Sequence, residues 1–414
     1  MRDNQGCSCD SDMKAVPVEV ALEHALALVP QPHFSESVSL EQATGRITAD
    51  AALAPCPLPP FDNAAMDGYG LDPATLSGTG PWQVTVAGSI RAGDMPIQCP
   101  PGAALRILTG APVPAGVTAI VPQEELQSLD TGIELRRFPR VGAHIRRAGS
   151  DLAAGETILP AGRMIGPREA AALAASGHAT VAVRPRLKVA LVSTGSELQE
   201  PGAPLAPGQI WDVNRAQLVA ALSQPWIRLT QHSTHADQPE RLREAVSRAA
   251  TTADLIVTTG GISVGDADHM PRIVQEAGGE VQVMKLAMKP GKPFAVGRIG
   301  SAIWIALPGN PVAAFVSWTV LGAPIARAMV GSDDIMPKTT SARLGAPVAH
   351  KPGRCEYRLA VRAAARVGEG LTVVCMTGVG SHRTAQLAAA DGLVRIPGET
   401  ADIPDGTLVD FLPF

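Results

Sequence analysis

The residues best suited to chemistry in this chain lie between Asp254 and Asp268, in the stretch DLIVTTGGISVGDAD. Leu255 to Thr259 are apolar or β-branched and run straight into Gly260 and Gly261, the pattern of a buried parallel strand ending in a tight loop. Gly260, Gly261 and Gly265 lack a Cβ, so backbone N–H groups there can approach an anionic ligand closely. Ser263 adds a hydroxyl, and Asp266 and Asp268 add carboxylates just before a helix expected from about His269 to Ala277. Exposed amides favour anions and carboxylates favour cations, so the loop suits a phosphate accompanied by a hard metal ion. The same residues also read as an ordinary strand–turn–helix with a capping aspartate, since the loop matches neither the dinucleotide fingerprint nor the Walker motif.

Other polar residues fall at comparable places. Glu197 in STGSEL and Asp237 in HADQPE sit at strand ends or helix starts, where oxygen ligands suit a Mg²⁺ ion that keeps several waters and bridges substrate phosphates. Asp237 equally reads as a cap on a helix starting at Pro239. Neither His nor Cys clusters there, which argues against zinc. Lys285, Lys289 and Lys292 lie in KLAMKPGKP, where Pro290 and Pro293 preclude an ordinary helix. Those lysines form either a solvated turn or a phosphate clamp, and Arg354, Arg358 and Ser381 offer a second clamp further on. The nine histidines occur singly or in one loop with His232 and His235, so no His-paired nucleophile stands out by spacing. Electrostatic and metal-assisted phosphoryl chemistry is therefore expected over covalent catalysis.

The elements that must position these residues form several domains, a multidomain α/β plus β fold. From 185 to 331 strands alternate with helices, an α/β domain with a mostly parallel sheet. Expected strands are LKVALVST, Ile227 to Gln231, DLIVTT, Val281 to Leu286 and Ile303 to Leu307. Three glycine-bearing loops, STGSEL, TTGGISVGDAD and LPGNP (Pro308, Gly309, Asn310, Pro311), end at the carboxyl edge, where open parallel sheets bind ligands. Residues 54–142 read as an inserted β-rich domain that starts with a shaped, proline-dense loop, APCPLPPFDNAAMDGYG. Its flanks, 15–53 and 143–184, form one discontinuous helical and mixed domain, and 336–414 reads as a small C-terminal β-barrel or sandwich. Residues 1–14 read as a disordered leader.

Composition narrows the function classes. A chain of 414 residues with formal charge −4 and no Lys/Arg block gives no case for nucleic acid. The six cysteines are scattered without a CxxC pair, which fits a reducing cytoplasm rather than a disulfide framework or zinc ribbon. The leader has no apolar signal region, and the apolar run Pro311 to Val330 contains Pro324 and Arg327, so a bent buried helix is expected there rather than a membrane span.

Taken together these motifs resemble the molybdopterin molybdenumtransferases, the MoeA type, related to the E domain of gephyrin. The resemblance rests on PLPPFDNAAMDGYG (57–70), RILTGAPVP (106–114), IRRAGSD (145–151), LVSTGSEL (191–198), TTGGISVGDAD (258–268), KLAMKPGKPFAVG (285–297), LPGNPVA (307–313) and GSHR (380–383). They span nearly the whole chain in the family's order. The resemblance implies an elongated four-domain subunit in a homodimer, with a cleft between the α/β and C-terminal domains to which the partner's inserted domain contributes. It implies the insertion of molybdate into adenylylated molybdopterin with Mg²⁺-dependent release of AMP. The dithiolene sulfurs belong to the substrate, so no protein cysteine is required.

Carried over by position, Asp268, Asp237 and Glu197 would handle metal and substrate phosphates. Lys285, Lys289 and Lys292 would bind the substrate's anionic groups, with Ser263 and its neighbouring glycines on the nucleotide side. Arg358 and Ser381 would receive molybdate. Asp67, Thr109 and Asp151 match family positions that shape the partner's cleft or the dimer. Ser196 stands where the family commonly has a carboxylate, which weakens a metal role for that position only. Two other readings remain: adenylylation of molybdopterin, whose enzymes share the α/β domain, and a scaffold as in gephyrin. Implied partners are the molybdopterin adenylyltransferase and cofactor-accepting proteins, with neither nucleic acid nor membrane.

Overall fold

The computed structural model describes residues 15–262, 269–363, 370–378, 380 and 382–414. The first helix, α1 (Val18–Ala27), buries Val18, Ala21, Leu22 and Ala25. These side chains join the core of the α/β domain, and the helix packs on the far end of its last helix. The flanking domain, expected to include this helix, is built instead from Glu36–Ser39 paired with Thr180–Val183, the short helix Leu40–Ala43 and the helix Pro167–Ala175. The four apolar residues on one face of α1 fit the large core of the α/β domain better than the small one available in that flank.

The inserted domain is a six-stranded sheet. One of its strands is Gly68–Leu71, inside the stretch read from sequence as loop; it pairs with Ala103–Ile107 on one side and Ala119–Pro122 on the other. Glycine is poor in strands by propensity. Here it is what the pairing requires, because a Cβ at Gly68 would stand 2.1 Å from the Val121 carbonyl oxygen.

The α/β domain contains β1 (Leu187–Thr194), α2 (Val213–Leu222), β2 (Ile227–His235), α3 (Pro239–Thr252), β3 (Leu255–Thr259), α4 (His269–Glu276), β4 (Glu280–Lys285), β5 (Met288–Lys289), β6 (Pro293–Ile299) and β7 (Ala302–Leu307). Its six-stranded sheet runs β2–β1–β3–β7–β6–β4, with β2, β1, β3 and β7 parallel and β6 antiparallel to both neighbours. The sequence reading omits β6 because KPGKP directly precedes it; the two prolines end at its first residue, and the apolar run behind them completes the sheet. β3 and β7 are wholly buried, as a strand covered on both faces must be.

The apolar run forms one helix, Pro311–Met329, the only one among the described residues long and apolar enough to cross a membrane. It packs in the domain core, with two-thirds of its most apolar window buried (67 %). Its middle, Trp318–Gly322, widens into a π-turn just before Pro324, whose missing N–H would leave the Val320 carbonyl unmatched in a regular helix.

The C-terminal domain has β8 (Thr340–Leu344), β9 (Cys355–Arg362), β10 (Thr372–Cys375), β11 (Gly392–Ile396) and β12 (Leu408–Pro413). The order β9–β10–β8–β12–β11 closes because β11 also pairs with β9, so the sheet is a small barrel. The short β5 of the α/β domain adds to this barrel, pairing Met288 with Cys355 and Lys289 with Glu356. The two domains thereby share a ladder.

Candidate active site

A cleft of about 1130 Å³ lies between the carboxyl edge of the α/β sheet and the barrel. Gly260 and Gly261 stand at the mouth of β3 with φ of +86° and +64°. A Cβ on Gly260 would lie 2.4 Å from the Thr194 carbonyl oxygen, and one on Gly261 would lie 2.7 Å from Met270 Cγ. Both glycines are therefore required by conformation and by space. Ser263, Gly265, Asp266 and Asp268 fall outside the described residues.

Pro308, Gly309, Asn310 and Pro311 form the neighbouring wall at the end of β7. α2 holds this loop: Asn214 Nδ2 donates to the Gly309 carbonyl at 2.8 Å and Gln217 Nε2 to that of Pro311 at 2.9 Å. Asn310 Oδ1 is buried and meets no hydrogen-bond donor among the described residues.

Glu197 and Asp237, on the loops after β1 and β2, line the same cleft. Asp237 does not cap α3, whose N-cap is Gln238. Its Oδ1 accepts from Thr194 Oγ1 at 2.5 Å and its Oδ2 from the Ser196 amide at 3.3 Å, while its own amide donates to Ser196 Oγ at 3.1 Å. Ser196 thus serves as a hydrogen-bonding partner that orients a carboxylate. Among the described residues no three His, Cys, Asp or Glu side chains group to hold a metal ion by themselves. Magnesium characteristically takes one or two carboxylates and completes its shell with phosphate oxygens and water, and the donor set of Glu197 and Asp237 fits that mode.

The opposite side of the cleft is cationic. Lys289, Lys292 and Arg358 line it, the lysines from the segment between β4 and β6 and the arginine from β9 of the barrel. Three strand spacings of the sheet, roughly 15 Å, separate β1 from β6. Lys289 Nζ lies 2.9 Å from Glu356 Oε1, and Arg358 Nη2 donates to Glu356 Oε2 at 2.8 Å. Burial pushes the Glu356 carboxyl up, but Arg358 and Lys289 together outweigh it and hold the group below its ordinary value. Cys375 also faces the cleft, and burial pushes its thiol up to about 11, which keeps it protonated and unreactive near neutrality.

Lys285, at the end of β4 opposite Pro293, is not among the residues lining this cleft. Asp67, Thr109 and Asp151 are also elsewhere. Asp67 is one step before the strand Gly68–Leu71 and accepts from Thr109 Oγ1 at 2.6 Å and the Thr109 amide at 2.7 Å, which hold its carboxyl below the ordinary range. Asp151, exposed, sits on the return from the inserted domain, its amide bonded to the Leu58 carbonyl at 3.0 Å. Ser381 falls outside the described residues.

Set against known proteins, the chain matches in three successive regions: MoeA N-terminal region (domain I and II) over 16–177, probable molybdopterin binding domain over 190–328, and MoeA C-terminal region (domain IV) over 341–414. A molybdopterin molybdenumtransferase 2 of Mycobacterium tuberculosis is 38% identical over 381 residues, 90% of this chain and 93% of the relative. The chain belongs to the MoeA family. Another relative, the molybdopterin molybdenumtransferase of Haemophilus influenzae, is 32% identical over 96% of this chain and 98% of its own length. The crystal structure of a molybdopterin biosynthesis MoeA protein from Pyrococcus horikosii superposes with a TM-score of 0.79 at 30% identity, covering 97% of this chain and 99% of that one.

Two residues of this MoeA cleft escape a sequence reading. Asp212 is fully buried, caps α2 through the Arg215 amide at 2.9 Å and accepts from Thr234 Oγ1 at 2.6 Å. With Asn214 it fixes the LPGNP wall; its signal is an N-cap aspartate in WDVN, which ordinarily reads as structure alone. Glu356 is the other, and a single glutamate in a strand carries no sequence signal.

Proposed function

We propose that this transferase of molybdenum cofactor biosynthesis inserts molybdate into adenylylated molybdopterin, releasing AMP in a magnesium-dependent step. One observation carries the reading: a single cleft joins a paired-glycine loop edge, two carboxylates and three cations contributed by two domains. The amide at Gly261 and the LPGNP wall receive the nucleotide and pterin, with Asn310 Oδ1 as an acceptor for a ligand N–H. Glu197 and Asp237 would hold the magnesium ion, with Asp268 as a third carboxylate. When bound, the ion would neutralise charge on the phosphate oxygens of the pyrophosphate link. Lys289, Lys292 and Arg358 bind the substrate's anionic groups and molybdate, a tetrahedral dianion suited to an ammonium and a guanidinium. Ser263 supports the substrate and Ser381 completes the molybdate site, while Lys285, at the end of β4 and off the cleft lining, would reach the substrate's anionic groups only from beside the cleft. The dithiolene sulfurs come with the substrate, so the protonated Cys375 has no bond to make.

Asp67, Thr109 and Asp151 act on the partner's cleft in a homodimer, which accounts for functional residues placed away from their own chain's cleft. Its protein partners are the adenylyltransferase that supplies the substrate and the proteins that accept the cofactor. The free cysteines among the described residues, Cys56, Cys99, Cys355 and Cys375, support a reducing cytoplasm.

The test is AMP release from adenylylated molybdopterin with magnesium, with and without molybdate, for the wild-type protein and Asp268→Asn. Release that requires molybdate and fails in the variant is expected. ATP consumption with molybdopterin and no AMP release would instead establish the adenylylation reaction.

A further inference from the structure

Glu356 stands in the wall between the cleft and a second cavity of about 630 Å³ on the barrel. Lys289, Ala349, Glu356 and Arg358 line both. The Glu356 side chain is only 10% exposed, and its two oxygens are divided between the two domains. Oε1 faces Lys289, its cross-strand partner on β5, and Oε2 accepts from Arg358, two residues along its own strand. His350 Nε2 lies 3.9 Å from Oε2 on the far side. Arg358 Nη2 also donates to the Ala349 carbonyl at 2.5 Å, so the guanidinium has a fixed direction.

We propose that Glu356 is a positioning residue that also sets the strength of oxyanion binding: an internal counter-anion that holds Lys289 and Arg358 ready while opposing the dianion they receive. The inference rests on the assignment of these two cations to molybdate. A carboxylate shared by both cations orders them across the domain junction before any ligand arrives. Its negative charge then acts on whatever anion binds beside them. Coulomb's law makes that repulsion proportional to the ligand's charge, so a dianion loses twice what a monoanion loses. The consequence is a site that is preorganised yet holds molybdate reversibly. A purely structural glutamate would do the opposite, since its removal would let the cations drift and weaken binding.

Calorimetric titration of the full-length protein with molybdate, sulfate and nitrate at fixed ionic strength separates these cases. In Glu356→Gln, which retains volume and an acceptor oxygen, molybdate and sulfate are expected to bind about tenfold tighter, and nitrate to gain markedly less. The KM for molybdate falls accordingly. Glu356→Asp, which keeps the charge, stays near wild type, and a gain there as large as in the glutamine variant would overturn the electrostatic role. Unchanged or weaker dianion binding in Glu356→Gln, with Arg358→Ala abolishing it, would overturn the proposal and leave the molybdate site standing. Full molybdate binding by Arg358→Ala would overturn both.

Discussion

Adjacent glycines in this cleft differ in what they tolerate. Gly260 has positive φ and no room for a Cβ beside Thr194, so Gly260→Ala should cost about 2 kcal/mol or more. Gly309 would place a Cβ 3.5 Å from Gly260 Cα, an ordinary contact, so Gly309→Ala should change stability by less than about 0.5 kcal/mol. Urea unfolding of the two variants measures the contrast. Glu356 adds a pH dependence with a fixed sign. Its folded pKa lies below the ordinary 4.5, so its stabilisation is present above that value and disappears as pH falls through the depressed one. The melting temperature of the wild type should drop more steeply than that of Glu356→Gln below about pH 4.5, a comparison that circular dichroism melts can make.

At the scale of elements, much of the architecture was legible. Periodicity located β1, β3, β7 and the helix α3 because their burial patterns are those of elements covered by one domain. What failed depended on contacts distant in sequence. Gly68–Leu71 is a strand because Val121 closes on a glycine, and β6 exists because a sheet edge was open to an apolar run behind two prolines. The site divided the same way. Gly260, Gly261, Asp237 and the KPGKP lysines were readable from motif and spacing, whereas Asp212 and Glu356 gain their roles from partners on other strands. α1 lies in a flank read as helical and mixed, but the core it packs into was not legible. Leu22→Ala should therefore cost about 2–4 kcal/mol and lower the unfolding midpoint of the α/β domain, which buried Trp226 and Trp304 report by fluorescence.

Across the whole molecule, the cleft joins two domains through one shared ladder, and the inserted domain carries its candidate residues elsewhere. The proposed homodimer with shared clefts predicts complementation. Asp67→Ala and Arg358→Ala homodimers should each be inactive, and subunits exchanged between them should recover about a quarter of wild-type activity, since half the dimers are mixed and each has one complete cleft. The most direct measurement of the central claim is the molybdenum bound to pterin per AMP released, after separating the protein from its product in a single turnover. One molybdenum per AMP is the predicted result. AMP released without molybdenum on the pterin would contradict the transfer and reduce the reaction to hydrolysis.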